Sequence, residues 1–491
     1  MNAANDDVTD ITAADDDKDE NCVIETQEEL NARKFKPAYA YFVLFITLIA
    51  RIMVQWQRKG INYSYGYTGL GPKMNNPIYE MGTFYPQLTE WYGWLIGFFY
   101  TIPYCFFGLV AGKMTDTVNR KTFLGIVLIL AGAAVGVSGV YDSFLLLAIM
   151  RMVHGCLNSA SNPVSFSLIQ DYFPPEKRAT ANSLIQAGNY IGVGVSSLSI
   201  LLINQFGWRY LYKFMGGLGV IFGIFTMLFV KEPERGGFLD EATKRKEARK
   251  KAEEAAQKAA SGGVGGFFKS MNDVFKLPTC RNVLIAGSLR NFGGIIISSF
   301  LPLFFGRNYA AYKSQYSVLN AAGMIICGLT ASLGGGIIAD KYEKKSYWTK
   351  AALCMSGCAL SVPIIALGTL QTSNFYLSMF CYALKVLVSG TYSGPAITMM
   401  QNTAPTSQQG SVVSVYFFSI TMAQTIAPII FGYFAKWAGV LANPTLYGPL
   451  ITGFCALSYL GSLPFWFRAG KHYKKYMEDK DAENARLACA E

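Results

Sequence analysis

The sequence predicts an all-α polytopic membrane protein, twelve transmembrane helices arranged as two bundles of six. Three observations lead there. Hydrophobic residues make up 52% of the 491-residue chain and charged residues 15%, against about 25% charged in a typical soluble protein, so a water-soluble body of this size would lack a polar skin. Apolar runs of about 20 residues, enough to cross a bilayer, recur along the chain in two sets of six. A short loop pattern occurs twice, at the same place in each set. The 48 glycines follow no collagen period and suit close helix packing in lipid. The same figures exclude a disordered chain, a coiled coil and an ordinary cytosolic enzyme.

Residues 1–36 hold eleven Asp/Glu and four Lys/Arg, a charge of −7. They read as an acidic, disordered tail, and Asp6–Glu20 resembles neither a basic secretory start nor an Arg-rich presequence. The first six spans, within residues 37–231, are expected at Ala38–Trp56 (running on toward Gly60), Trp91–Gly112, Phe123–Val140, Phe144–Ile169, Ser183–Ile203 and Leu211–Val230. Residues 232–279 form a basic linker. Its Phe238–Ser261 stretch, rich in Ala, Lys, Glu and Arg, reads as an amphipathic or flexible connection ending in Gly262-Gly263-Val264-Gly265-Gly266. The second six, within residues 280–468, are expected at Val283–Phe304, Val318–Ala339, Ala351–Leu370, Phe375–Met399, Val412–Phe434 and Leu446–Phe467. Residues 469–491 close the chain as a charged tail.

Lys and Arg concentrate in alternate loops, and an even number of spans returns both termini to one side. Excess positive charge makes that side cytoplasmic or its organellar equivalent. Asn62-Tyr63-Ser64 is a formal glycosylation sequon on the opposite side, too near the first span to be used. The ten cysteines form no disulfide or metal pattern; most lie in apolar runs as small hydrophobes. A nucleic-acid role is not expected, because the basic residues sit between membrane spans rather than on a polar groove.

The repeated pattern is Gly-x-x-x-Asp-x-x-x-basic-basic. It reads Gly112, Asp116, Arg120 and Lys121 after the second span, and Gly336, Asp340, Lys344 and Lys345 after the eighth. Glycine permits a close helix end, the aspartate can accept from a neighbouring helix N-terminus, and the paired cations anchor at headgroups. On these residues the chain resembles the major facilitator superfamily, over about residues 37–470. Arg151 to Gly155 is similar to that family's Arg-x-x-x-Gly motif, and Asp171 to Arg178 to its loop between spans four and five. Gly207-Trp208-Arg209 and Lys231 to Gly236 resemble Spinster-like lipid transporters and organic-anion transporters. Two positions depart. Asn158 stands where Spinster-like members have a carboxylate, and Gly188 and Gly192 are followed by Val193 rather than the proline of drug/proton antiporters. The resemblance implies a 6+6 major facilitator fold and a gating role for Gly112, Asp116, Arg120, Lys121, Arg178, Gly336, Asp340, Lys344 and Lys345. It also implies a central cavity lined by spans one, four, seven and ten.

An ionisable group inside a span costs at least about 2.5–3.5 kcal/mol on insertion scales and usually serves function. Arg51, Arg151, His154, Arg290 and Lys385 lie within those four spans, with Gln55, Asn158, Asn162, Asn291 and Ser389 a turn or so away. Together these ten form the expected substrate-binding set. No Asp or Glu lies well inside a span; Glu90, Asp142 and Asp171 sit at ends. Cations without buried carboxylates favour an anionic substrate, although each could instead snorkel or bond backbone carbonyls. Pro103, Pro163, Gly293-Gly294, Pro302, Gly394-Pro395 and Pro428 supply hinges.

The expected function is a secondary or facilitative transporter that moves a small or amphipathic, even lipid-like, organic anion by alternating access. The alternative is a transport-inactive relative serving as a receptor or subunit of a larger membrane assembly, with the tails or central loop meeting a protein partner. Membrane lipids are the expected surroundings. No enzyme, metal or cofactor signature is present. A gating role for Asp116 predicts that Asp116→Asn slows turnover in proteoliposomes with little change in substrate affinity; normal turnover with a large affinity loss would contradict it.

Overall fold

The computed structural model describes residues 36–233, 271–343, 345–404, 409–440 and 442–488. The acidic tail before residue 36 and the central stretch Phe238–Ser261 lie outside the described residues. The described residues fold as twelve helical passes. The first six are α1 (Pro37–Gly66), α2 (Leu88–Ile96 and Phe98–Thr117), α3 (Arg120–Ser138), α4 (Phe144–Asn158 and Ser161–Tyr172), α5 (Pro175–Ser197 and Ser199–Phe206) and α6 (Trp208–Phe229). The second six are α7 (Pro278–Asn308), α8 (Lys313–Glu343), α9 (Thr349–Leu370), α10 (Phe375–Ser389 and Ser393–Thr403), α11 (Gln409–Trp437) and α12 (Tyr447–Ala488). Among the described residues there is no strand. Among the described residues ten passes are long and apolar enough to cross a membrane; α2, divided at Gly97, and α10, divided at Gly390–Tyr392, are not among them.

Local chemistry sets the starts. Pro37, Pro175 and Pro278 open α1, α5 and α7, where the missing N–H costs nothing and φ is already helical. Asn119, Ser143 and Asn374 cap α3, α4 and α10, each side chain accepting from a backbone N–H three residues on, a bond worth about 1 kcal/mol. Two ends depart from the expected spans. The first helix continues ten residues past Trp56 to Gly66, because Ile61 to Gly66 are buried, with Asn62, Tyr63 and Gly66 against the second half. The last does not stop near Phe467: it runs to Ala488 as one helix.

Within the N-terminal bundle, α3 and α6 cross on glycine. A Cβ on Gly216 would come within 2.6 Å of the Gly136 Cα, and one on Gly132 within 3.0 Å of the Gly219 carbonyl carbon. Such seams let helices gain dispersion contact that lipid cannot replace. Gly207 alone in its turn has φ +87°, and its backbone passes close to Ile78. That turn seats Trp208, fully buried, with its indole N–H donating to the Pro77 carbonyl at 2.9 Å.

The bundles meet at the end away from the termini, called here the outer half. Tyr92 donates to the Ser299 carbonyl (2.9 Å), Asn320 to Tyr63 (3.0 Å) and Lys59 to Ser298 (3.2 Å). Ser197 and Ser317 exchange reciprocal bonds to each other's carbonyls, both 2.8 Å. The Gly66 Cα lies against Pro302, and Glu90 pairs with Lys436 at 2.5 Å. Asn62 of the sequon is buried in α1 at this seam. Just beyond α1, burial pushes the Tyr67 phenol up to about 12. It therefore stays neutral, donating to Asn204 (2.8 Å) and accepting from Lys313 (3.3 Å).

Gly216→Leu should lower the melting temperature of purified protein by several degrees, whereas Gly217→Leu, where a Cβ meets open space, should leave it within a degree. Equal effects would remove the α3–α6 seam as a stability determinant.

Candidate functional site

At mid-depth the N-terminal bundle holds a cluster of cations around two tyrosines. Arg51 on α1 is 7% exposed, and its Nε is buried without a hydrogen-bond partner. Tyr104 and Tyr100 of α2 and Arg58 of α1 are its electrostatic neighbours. Both Arg58 and Arg151 lie over the Tyr100 ring, at 5.0 and 4.8 Å, where the electron-rich face offsets part of the cost of desolvating two like charges. Beside them Gln55 donates to Asn189 (2.8 Å), which donates to Gln186 (2.7 Å), so a polar ladder runs from α1 onto the exposed face of α5. Asn162 donates to Tyr104 at 3.3 Å.

Other residues of the expected binding set turn inward. Arg151 donates to the Arg58 carbonyl at 2.7 Å and to the Leu95 carbonyl at 3.3 Å, beside the break in α2. His154 lies between Gln57 (3.3 Å) and Asn158 (2.8 Å), and Asn158 is fully buried against Tyr100. In the C-terminal bundle Arg290 donates to the Ser389 carbonyl and lies 3.4 Å from the centre of the Tyr392 ring. Lys385, 6% exposed, sits 5.7 Å from the Tyr459 ring centre, near Cys358 and Cys455. Both point into their own bundle, toward α9 and α12. Asn291 accepts from Tyr392 (3.2 Å) and Gln424 (3.1 Å). The one ring of cations expected around a shared chamber is thus two clusters, one per bundle, with Arg51 and the half-buried Arg58 as the N-terminal members not committed to carbonyls. Tyr190 of α5 bridges the bundles: its ring packs against Gly328 of α8 and lies within electrostatic reach of Arg290.

Among the described residues no carboxylate forms an ion pair with Arg51, Arg58, Arg151, Arg290 or Lys385. The carboxylates at span ends are taken elsewhere: Glu90 by Lys436, Asp142 by Arg209, Asp171 by Arg120.

The repeated loop pattern marks two further networks at the terminal side. Arg120, 2% exposed, pairs with Asp171 of α4 and with Glu232 after α6 (2.7 Å), and bonds the Ser167 and Pro233 carbonyls at 3.1 Å each. The backbone N–H of Lys121 also donates to Glu232 (2.9 Å). In the second half the equivalent buried cation is Lys350, 1% exposed, which pairs with Glu343 at 2.6 Å; Tyr473 donates to the same oxygen (2.6 Å) and accepts from Asn402 (2.9 Å). Lys345, expected to anchor at the headgroups, is exposed and lies over Tyr342 (5.5 Å). A Cβ on Gly336 would meet open space, so the close approach expected there is not made. Lys344 lies outside the described residues, as do the side chains of Asp116, Arg178 and Asp340 and the surroundings of Gly112.

Arg58, Lys59, Tyr100, Tyr104, Asn189 and Lys350 were not in the expected set. The first two fall where the first span is expected to run on toward Gly60, and the run Gln57-Arg58-Lys59-Gly60 looks like a helix end until Ile61 to Gly66 are counted in.

Residues 61–428 match the Major Facilitator Superfamily. The chain belongs to that superfamily. Its architecture agrees: a crystal structure of a bacterial homologue of the human lysosomal transporter Spinster, inward-facing and unoccupied, superposes with a TM-score of 0.67 over 90% of this chain and 97% of that one, at 18% identity. Curated relatives include an uncharacterized transporter of Bacillus subtilis, YybO, 25% identical over 49% of this chain; the match spans 54% of that relative's length. The probable galactarate/D-glucarate transporter GudP of the same organism is 22% identical over 72% of this chain and 79% of its own. Probable anion transporter 2, chloroplastic, of Oryza sativa is 23% identical over 71% and 66%. By that membership it is a protein of a transporter superfamily and not an enzyme, and its long apolar helices make it an integral multi-pass membrane protein.

Arg120→Ala removes the ion pairs of two partly buried carboxylates and should cost about 3 kcal/mol, seen as a clear drop in melting temperature, while Lys345→Ala should change it little. An unchanged melt for Arg120→Ala would show that the network adds no stability.

Proposed function

We propose that this protein moves an organic anion across its membrane by rocker-switch alternating access, with Arg51 and Arg58 receiving the negative group. One observation carries this: five cations at mid-depth, on α1, α4, α7 and α10, have no ion-pair carboxylate among the described residues. Burying an uncompensated charge is costly, and a bidentate carboxylate or phosphate would offset that cost where the Arg51 Nε is unpartnered. Arg151, Arg290 and Lys385, held against carbonyls and tyrosine rings, add a fixed positive field behind that contact. Two bundles joined in the outer half, with gate networks at the terminal side, support a state open toward the termini. The positive-inside rule makes that side cytoplasmic. GudP of Bacillus subtilis is named for galactarate and D-glucarate, and both are the first substrates to try.

In proteoliposomes loaded for uptake of labelled galactarate, D-glucarate and a panel of other organic anions, one or more should accumulate. Arg51→Ala should reduce that uptake at least tenfold, and Arg51→Lys should retain part of it. Wild-type rates in Arg51→Ala would defeat the assignment of the anion site.

A further inference from the structure

Between α7 and α11 lies a cavity of about 290 Å³, open on one side and almost wholly apolar. Leu284, Ser288, Leu289 and Phe292 line it from α7, Ser419 and Ala423 from α11. Phe292, seven residues before Ser299, shares its side of α7, and Ser299 is where α7 meets Tyr92 of the N-terminal bundle. The cavity therefore continues, toward the terminal side, the face of α7 that looks across at the first half. Its height follows from the Lys59–Ser298 bond. The helices α1 and α7 run in the same direction, and eight residues nearer the terminal side, about 12 Å along each, Arg51 comes level with the Ser288–Arg290 turn. At one depth, then, one wall offers an unpartnered guanidinium and the other an apolar groove. Leu- and Phe-lined space holds water poorly and gains by being filled with hydrocarbon.

We propose that the substrate is an amphipathic anion, its charged head at Arg51 and Arg58 and its apolar tail in the α7–α11 groove. This rests on the anion reading above and narrows it. A wholly hydrophilic anion would leave the groove unused.

The test uses the full-length protein in lipid nanodiscs, with empty nanodiscs as the blank. Equilibrium dialysis measures binding of labelled butanoate, octanoate and dodecanoate, and of dodecanol as the uncharged control. Affinity should rise about three- to fourfold per methylene until the groove is full. Ser288→Trp, which fills the groove, should abolish that rise, so that dodecanoate binds no better than butanoate. Ala423→Phe does the same from the opposite wall should Ser288→Trp fail to purify folded. Arg51→Ala should weaken every carboxylate at least tenfold. A chain-length rise that survives in Ser288→Trp and Ala423→Phe, or no rise in the wild type, overturns the tail site; if Arg51 is still required for butanoate, the anion reading stands without it. Dodecanol binding as tightly as dodecanoate, with no effect of Arg51→Ala, would overturn both.

Discussion

Positive charge held out of water without a counter-charge is the constraint around which this molecule is organised. Each guanidinium or ammonium at mid-depth must be met by something, and the chain meets them with carbonyls and tyrosine rings rather than carboxylates. Arg151 takes two carbonyls near the α2 break, Arg290 takes Ser389 and Tyr392, and Lys385 rests by Tyr459. Dipoles and ring quadrupoles stabilise a cation but do not neutralise it. The interior therefore keeps a net positive field, and that field is what an entering anion would complete.

The carboxylates are instead paired at the terminal side, in one network within each bundle. Arg120 gathers Asp171 and Glu232, joining the ends of α3, α4 and α6. Lys350, Glu343, Tyr473 and Asn402 join α8, α9, α10 and α12 in the second half. The two networks occupy matching places but differ in kind. The first has two acids on one guanidinium; the second has one acid, a phenol and an amide. The first therefore gathers more charge on one cation, and its breaking carries the larger penalty.

Much of this was legible in the sequence, and the failures have physical causes. The helix number, the two-fold repeat and the family followed from hydropathy and a spaced motif, because a bilayer enforces span length and the matching loop within each bundle carries its own pattern. The cations on α1, α4, α7 and α10 could be picked out as intramembrane charges. Which way each one faces could not, because inward and outward positions of a fully enclosed helix are equally apolar. Arg58 and Lys59 were obscured because a helix end and a polar seam between bundles have the same composition. Lys350 was obscured because the spacing of the first repeat pointed to Lys344 and Lys345, while the second connection seats its buried cation at the start of α9 instead.

The final helix bears on how the molecule can be handled. Because α12 continues past its apolar stretch, with Tyr473 holding Glu343 and Tyr347 bonded to Asp481, its turns as far as Asp481 belong to the second bundle rather than to a loose appendage. Trimming the chain after the apolar stretch would withdraw a phenol from a buried ion pair, so tags and fusions belong beyond residue 488, not in place of what precedes it.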